Sequence, residues 1–133
     1  MIGIATIGTA AVGELAPIYP SDTVLLLIAP WCAPCYGELT RLDDIAAAAR
    51  PRAVRVMLIE DGPRATAMVR GLRPDQVWTA SPRQMRQARA DLLERAVGLP
   101  YSIVTDARGA VCAGQGGGLD RARTAALVKR CGS

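Results

Sequence analysis

Two cysteines separated by two residues, Cys32 and Cys35, are the side chains of this sequence best suited to chemistry. They stand between a continuous apolar run at residues 23–29, typical of a buried strand, and a segment with helical periodicity. At such a junction the first sulfur lies near unpaired backbone N–H groups and the positive end of the helix dipole, which stabilise a thiolate. We therefore expect Cys32 to ionise more readily than a free cysteine and to act as a nucleophile.

Cys35 is the expected resolving thiol of a thiol-disulfide exchange reaction. The Cys32 thiolate would attack a substrate disulfide, and Cys35 would then attack the mixed disulfide and release the reduced substrate. Cys35 needs a proton acceptor for this step, and Glu38 lies three residues later on the same helical face. The sequence therefore predicts Cys32, Cys35 and Glu38 as catalytic residues. A solvated surface charge is an equally simple interpretation of Glu38.

The other two cysteines bear on the choice between thiol chemistry and a structural metal site. A zinc site would need Cys112 and Cys131 as further ligands, but their spacing of 19 residues matches no zinc-ribbon pattern. We therefore expect no metal and no cofactor, and a structurally inert Cys-x-x-Cys pair is a further alternative. The strand that leads from Cys112 and the helix that leads back to Cys131 span similar lengths, so we predict a structural disulfide between them. Two separate thiols, either buried or at a frayed end, are the alternative.

The composition fits one soluble globular domain over residues 1–133, since half of the residues are hydrophobic and 21% are charged. The formal net charge is +4, but the arginines are spread over the predicted helices and no basic stripe alternates with aromatic residues. We therefore expect no nucleic-acid partner. The chain has no histidine, which excludes Cys/His catalytic pairs and histidine-ligated metals. The apolar stretch at residues 1–12 lacks Lys and Arg, so we interpret it as an edge strand or the remainder of a leader or anchor.

The order of predicted elements alternates strands and helices. Apolar runs predict strands at residues 23–29, 53–60, 76–80, 101–105 and 110–113, the last two forming an antiparallel hairpin. Periodicity and capping signals predict helices at residues 33–50, 64–70, 82–97 and 120–130. We expect Ala122, Ala125, Ala126 and Leu127 on the inner face of the last helix. The predicted fold class is α/β, with a mixed central sheet and helices on both faces.

Two segments carry a resemblance to a known family. Ile28-Ala29-Pro30-Trp31-Cys32-Ala33-Pro34-Cys35 resembles the active-site signature of thioredoxins. Gly98-Leu99-Pro100, followed by a strand and the hairpin Asp106-Ala107-Arg108-Gly109, resembles their second landmark. The resemblance implies a thioredoxin fold in which Pro100 is a cis-proline that faces the cysteine pair and helps to bind an extended substrate segment.

Within the thioredoxin superfamily the chain most resembles the TlpA-like and ResA-like disulfide reductases, which include the cytochrome c maturation thioredoxins. Glu38 matches a glutamate of that group, and residues 76–97 resemble its extra strand-helix insertion before the cis-proline. Leu26 stands where cytoplasmic thioredoxins have a buried aspartate, so the resemblance implies that Glu38 takes over proton handling. The chain departs from the group at Tyr101, which replaces a small hydroxyl residue.

The expected function is a protein-disulfide reductase of the periplasm, anchored to the membrane if a further segment precedes this chain. A Cys112-Cys131 disulfide and the TlpA-like resemblance both favour that oxidising compartment. The segment between the cysteines lacks the histidine of strongly oxidising relatives, which favours reduction over oxidation. The expected partners are a protein disulfide or dithiol and an upstream thiol electron donor, which a membrane protein could supply. We expect the chain to be a monomer.

The substrate is expected on the surface formed by Trp31, Pro34, Leu99 and Pro100, as an extended segment that pairs with the backbone before Pro100. Packing of Trp31 in the core is the alternative for that residue. The alternative function is a non-catalytic assembly factor or copper chaperone that holds a soft metal between the paired cysteines. Such proteins usually recruit a histidine or methionine near the pair, whereas the candidate methionines fall on other predicted elements, at Met57, Met68 and Met85.

Overall fold

A computed structural model describes residues 18–132, so the predicted edge strand or leader at residues 1–12 lies outside the described residues. The described chain contains a four-stranded sheet in the order β2-β1-β3-β4. The strands are β1 (Thr23–Ile28), β2 (Ala53–Leu58), β3 (Tyr101–Thr105) and β4 (Val111–Gly116). Strand β1 pairs parallel with β2 and antiparallel with β3, and β3 pairs antiparallel with β4. The predicted mixed sheet is confirmed.

Strand β1 is the central element, because all six of its residues are buried. Successive side chains of a strand point to opposite faces, and the side chains of β1 therefore enter two core clusters. Val24, Leu26 and Ile28 pack on one face of the sheet, and Leu25 and Leu27 pack on the other. Burial on both faces explains the continuous apolar run that the sequence shows here.

Helices cover both faces of the sheet, as predicted. They are α1 (Ala33–Thr40), α2 (Leu42–Ala49), α3 (Pro63–Val69), α4 (Pro82–Arg95) and α5 (Arg121–Lys129). Ile45 of α2 and Leu127 of α5 pack in the cluster that contains Leu26. Ala88 and Leu92 of α4 pack in the cluster on the other face. None of the helices among residues 18–132 is long and apolar enough to cross a bilayer.

The prediction of one helix over residues 33–50 was wrong, because the structure breaks it at Arg41. The Arg41 backbone has φ −103° and ψ 11°, outside the helical range. Its N–H donates to the carbonyl of Glu38, three residues earlier, and this tight hydrogen bond closes α1. The Arg41 side chain meanwhile reaches across to the Leu119 carbonyl. A tertiary contact that the local sequence does not encode thus accompanies the break.

The predicted strand at residues 76–80 is reduced to a single bridge. Pro74–Gln76 form a 3₁₀ turn that is closed by the N–H of Val77 donating to the Pro74 carbonyl. Val77 makes one isolated parallel bridge with Val56, and the Trp78 N–H donates to the Val56 carbonyl at 2.9 Å. The turn uses the Val77 donor that a longer ladder would need, so the insertion before Pro100 is a turn and helix rather than a strand and helix.

The predicted inner face of the last helix was also wrong in part. Ala122, Ala125 and Ala126 are exposed, whereas Thr124 and Leu127 are fully buried. Alanine gains little from burial, so these alanines do not fix the rotation of α5. Thr124, Leu127 and Cys131 recur at spacings of three and four and therefore lie on one face. Cys131 is bonded to Cys112 of β4, so this face lies against the sheet.

In the structure a disulfide joins Cys112 of β4 to Cys131, which follows α5, with a Cα–Cα distance of 5.2 Å. The bond closes a loop that contains the end of the sheet and the whole of α5. It limits the freedom of this loop in the unfolded chain, and it therefore raises the free energy of unfolding.

Replacing both residues, Cys112→Ser with Cys131→Ser, should lower the free energy of unfolding by about 3 kcal/mol, as expected for a closed loop of this length. Urea denaturation followed by far-UV circular dichroism measures the change. Oxidised wild-type protein is the reference, because the Cys32-Cys35 bond then remains in both proteins. A loss below about 0.5 kcal/mol would show that this bond contributes little to the fold.

Candidate active site

The cysteine pair lies where β1 leaves the sheet and α1 begins. The Cys32 N–H donates to the Ala29 carbonyl at 3.1 Å, which turns the chain after the strand. Cys32 is the N-cap of α1, and its sulfur accepts a hydrogen bond from the Cys35 N–H at 3.2 Å. Pro34 occupies the first turn of the helix, where a missing N–H costs nothing. The helix terminus therefore directs a backbone donor and its dipole at the Cys32 sulfur.

Cys32 and Cys35 form a disulfide with a Cα–Cα distance of 5.3 Å, and they differ in accessibility. Cys32 retains 5% of its surface, whereas Cys35 is completely buried. The residual exposed surface of the pair therefore belongs to Cys32. Thiol-disulfide exchange needs only one accessible sulfur, so this asymmetry is compatible with it.

Two exposed aromatic side chains flank the pair. Trp31 is 59% exposed, so its alternative interpretation as a core residue was wrong. Its indole N–H donates to Glu60 Oε1 at 2.8 Å, and the Tyr36 hydroxyl donates to the Pro30 carbonyl at 3.1 Å. These bonds hold the two rings on the surface beside the cysteines. Sequence reasoning missed Tyr36, whose only signal was an aromatic residue directly after the motif.

Pro100 lies at the same edge of the sheet as the cysteine loop. Leu27 of β1 pairs with Tyr101 of β3, which places Pro100 beside the end of β1. The peptide bond between Leu99 and Pro100 is cis. Pro100 is buried and Leu99 is half-buried, in contact with both core clusters, whereas Pro34 is exposed. The structure thus brings the two predicted sequence landmarks to one edge, although only Trp31 and Pro34 offer much exposed side chain.

Glu38 is fully buried, so its interpretation as a solvated helix charge was wrong. Its Oε2 accepts a hydrogen bond from the Leu119 backbone N–H at 2.7 Å. Its Oε1 has no hydrogen-bond partner among residues 18–132. Burial raises the pKa of Glu38 to about 7, although the Leu119 hydrogen bond and the charges of Arg41 and Arg123 act in the opposite direction.

A second buried polar side chain lies on the same face of the sheet. Ser102 is directly opposite Leu26 in the β1–β3 pair, so both side chains point to the core cluster that contains Cys35. The Ser102 hydroxyl is buried and has no partner among the described residues. Sequence reasoning missed it, although a serine between apolar strand residues was a visible signal. Glu38 and Ser102 thus each keep a buried polar atom that has no partner among the described residues.

The pairing of the four cysteines in two disulfides leaves none of them as a zinc ligand in this state. Among residues 18–132, no cluster of three or more His, Cys, Asp and Glu side chains could hold a metal ion. Met68 of α3 is half-buried against the core cluster that contains Cys35, whereas Met57, which is buried, and Met85, which is half-buried, lie in the cluster on the other face of the sheet. Met57 and Met85 therefore do not complete a soft-metal site with the pair.

No protein-family model matches the chain, and no curated protein matches it. Solved structures do resemble it. A thioredoxin-family thiol:disulfide interchange protein from Chlorobium tepidum has 22% identity and a TM-score of 0.60, over 86% of this chain and 81% of that one. DsbF from MTB, solved in mixed oxidised and reduced forms, has 20% identity and a TM-score of 0.58, over 86% and 83%. StoA from Bacillus subtilis has 14% identity and a TM-score of 0.52, over 81% and 82%. The chain therefore has the thioredoxin fold.

The raised pKa of Glu38 makes stability depend on pH in a known direction. The folded protein holds this proton more tightly than the unfolded chain, so the contribution is complete below about pH 4.5 and is lost as the pH rises through about 7. We expect the free energy of unfolding of the oxidised protein to fall by about 3 kcal/mol across this window. No imidazole titrates there, because the chain has no histidine.

Urea denaturation at intervals between pH 4.5 and pH 8 measures this dependence. The variant Glu38→Gln stays neutral at every pH and should lose most of the slope, whereas Glu94→Gln, at an exposed position of α4, should keep it. Parallel curves for wild type and Glu38→Gln would contradict a buried carboxyl that favours its protonated form.

Proposed function

We propose that this chain is a thiol-disulfide oxidoreductase that reduces protein disulfides through the Cys32-Cys35 pair. The observation that carries the proposal is the arrangement around the pair: a reachable sulfur at a helix N-terminus, a buried partner sulfur, and a buried carboxyl one turn further along α1. The similar solved structures include thiol:disulfide interchange proteins, which supports the same activity.

The reaction starts from the reduced pair. The Cys32 thiolate attacks one sulfur of the substrate disulfide, forming a mixed disulfide and releasing the other substrate sulfur as a thiolate, which takes a proton from water. Cys35 then loses its proton and attacks Cys32, forming the Cys32-Cys35 bond and releasing the second substrate thiolate, which is also protonated. The substrate disulfide gains two electrons, and the pair loses them. A thiol donor must later return the pair to the dithiol.

Glu38 is the proposed acceptor for the Cys35 proton. It lies three residues after Cys35 on the same face of α1, and its pKa near 7 lets it exist in both protonation states at neutral pH. Its Oε2 is engaged by the Leu119 N–H, so Oε1 is the oxygen left to take the proton. Leu26, on the strand beneath, carries no group that could replace it.

The proposed substrate surface is formed by Trp31, Pro34, Leu99 and Pro100. Trp31 and Pro34 supply exposed apolar area beside Cys32, and Trp31 is held in place by Glu60. Pro100 is buried, so the backbone around Leu99 rather than the proline ring would contact an extended substrate segment. Backbone pairing admits many sequences, which suits an enzyme acting on protein substrates.

We place the protein in the periplasm, as a single-domain monomer of residues 1–133. The Cys112-Cys131 disulfide supports an oxidising compartment, where such structural bonds persist. Reduction there needs an upstream thiol donor, which a membrane protein can supply, and a segment beyond this chain could anchor the protein to the membrane. The absence of a histidine between the cysteines supports reduction as the direction of transfer.

The wild-type protein should accelerate the reduction of insulin disulfides by dithiothreitol, and Cys32→Ser should abolish the acceleration because the nucleophile is lost. The variant Cys35→Ser should stop after the first step and accumulate a mixed disulfide on Cys32, visible by non-reducing electrophoresis and mass spectrometry. The Cys112→Ser, Cys131→Ser protein is the matched control and should keep its activity. An active Cys32→Ser protein would refute the proposal.

Glu38→Gln should slow the resolving step by about 10- to 100-fold at pH 7, because the amide cannot accept the Cys35 proton. Stopped-flow release of a thiol from a preformed mixed disulfide on Cys32 measures this step directly. Glu94→Gln is the matched control, since it removes an exposed carboxyl from α4. Equal rates for wild type and Glu38→Gln would exclude Glu38 as the acceptor.

A further inference from the structure

Arg41 connects the active-site helix to the loop that follows β4. Its Nε donates to the Leu119 carbonyl at 2.9 Å, while the Leu119 N–H donates to Glu38 Oε2 at 2.7 Å. The N–H and the carbonyl of Leu119 are therefore both hydrogen-bonded to side chains at the end of α1, and these side chains lie three residues apart. Glu38 and Arg41 form a clamp on one residue of a distant loop.

Gly118 shows how closely the guanidinium of Arg41 packs against this loop. A Cβ at Gly118 would lie 2.9 Å from Arg41 Nη2, too close for both to keep their positions. The same Cβ would lie 3.8 Å from Pro100 Cγ, and the Gly117 N–H donates to the Pro100 carbonyl at 3.0 Å. The clamp formed by Glu38 and Arg41 therefore contacts the same loop segment that is hydrogen-bonded to Pro100.

The charges that act on Glu38 come from two elements. Arg41 follows α1, and Arg123 belongs to α5; both guanidinium charges favour the carboxylate form of Glu38. Arg41 is half-buried, so water screens its charge less than that of exposed Arg123. The neighbouring Asp120 carboxylate accepts from the Arg123 N–H at 2.8 Å, and the Cys35 sulfur is bonded to Cys32 in this state.

We propose that Arg41 is a positioning residue of the active site, which binds the Leu119 carbonyl, so holds the backbone of that residue against Glu38, and supplies the positive charge beside which Glu38 takes up and releases its proton. This inference rests on the proposed function for its role in Cys35 deprotonation. The clamp leaves Glu38 Oε1 as the free oxygen and keeps the carboxyl from turning. Among residues 18–132, Arg41 is the side chain that combines a hydrogen bond to the Leu119 carbonyl with a positive charge acting on Glu38.

The direct test is the titration of Glu38 in the oxidised protein, followed by the ¹³C shift of its carboxyl carbon. Arg41→Met keeps an apolar stem but removes the charge, so the pKa of Glu38 should rise from about 7 by about one unit. Gly118→Ala leaves Arg41 in the sequence but displaces its guanidinium, and it should shift the pKa in the same direction by about half a unit. Gly118 does not have a positive φ, so its backbone accepts alanine.

Three further variants separate charge from simple loss of structure. Arg41→Lys keeps the charge but not the planar donor, and it should restore much of the wild-type titration. Arg123→Met should give a smaller shift than Arg41→Met, because Arg123 is exposed. Arg64→Met removes an exposed arginine from α3 and should leave Glu38 unchanged. An unchanged Glu38 titration in both Arg41→Met and Gly118→Ala would overturn the proposal.

A kinetic experiment compares how the rate of the resolving step depends on pH in wild type and in Arg41→Met. At pH 7 the Arg41→Met rate should fall about fivefold and recover near pH 9, since less Glu38 is ionised at neutral pH. In a Glu38→Gln background, Arg41→Met should leave the shape of the profile unchanged. A pH-dependent effect that persists without Glu38 would overturn the proposal. If wild type fails to reduce insulin but Arg41→Met still shifts the Glu38 titration, the proposed function fails and the positioning role of Arg41 stands.

Discussion

The hydrogen bond from the Leu119 N–H to the buried Glu38 carboxylate oxygen joins the helix that carries the cysteines to the loop after the last strand. These groups lie 81 residues apart in the sequence. The bond satisfies one oxygen of a fully buried carboxyl, which would otherwise be among the most costly groups in the core. It also ties α1 to the loop that supports Pro100 through Gly117. The contact therefore links the helix of the cysteine pair to the loop beside the cis-proline, in addition to the strand pairing that brings both to one edge of the sheet.

Burial makes the side chains of the site chemically different from one another. Cys32 and Cys35 both belong to the core cluster on one face of the sheet, but only Cys32 keeps some exposed surface, and Glu38 is fully buried one turn further along α1. An apolar environment disfavours a charged carboxylate, and nearby guanidinium groups favour it, so the protonation of Glu38 is balanced near neutral pH. Burial thus leaves Cys35 without exposed surface and gives the Glu38 carboxyl a pKa at which both of its protonation states are populated near pH 7.

Signals in the local sequence correctly predicted the elements that local interactions determine. The apolar run of β1, the N-cap and proline that open α4, and the hairpin between β3 and β4 all appear in the structure. The errors arose where distant contacts intervene. The helix after the cysteines breaks where Arg41 reaches Leu119, the 76–80 strand is replaced by a turn, and α5 buries Thr124 instead of its alanines on the face that leads to the Cys112-Cys131 bond.

The sequence by itself determined that a pair of cysteines two residues apart stands between a buried strand and a helix, because the spacing of two cysteines and the run of apolar residues are local properties. It also placed Glu38 on the same helical face as Cys35. Only the tertiary structure decided that Glu38 is buried, that one of its oxygens accepts from the Leu119 N–H, and that Arg41 donates to the carbonyl of the same residue. Burial and long-range hydrogen bonds depend on which chain segments meet, and no spacing within one segment contains that information.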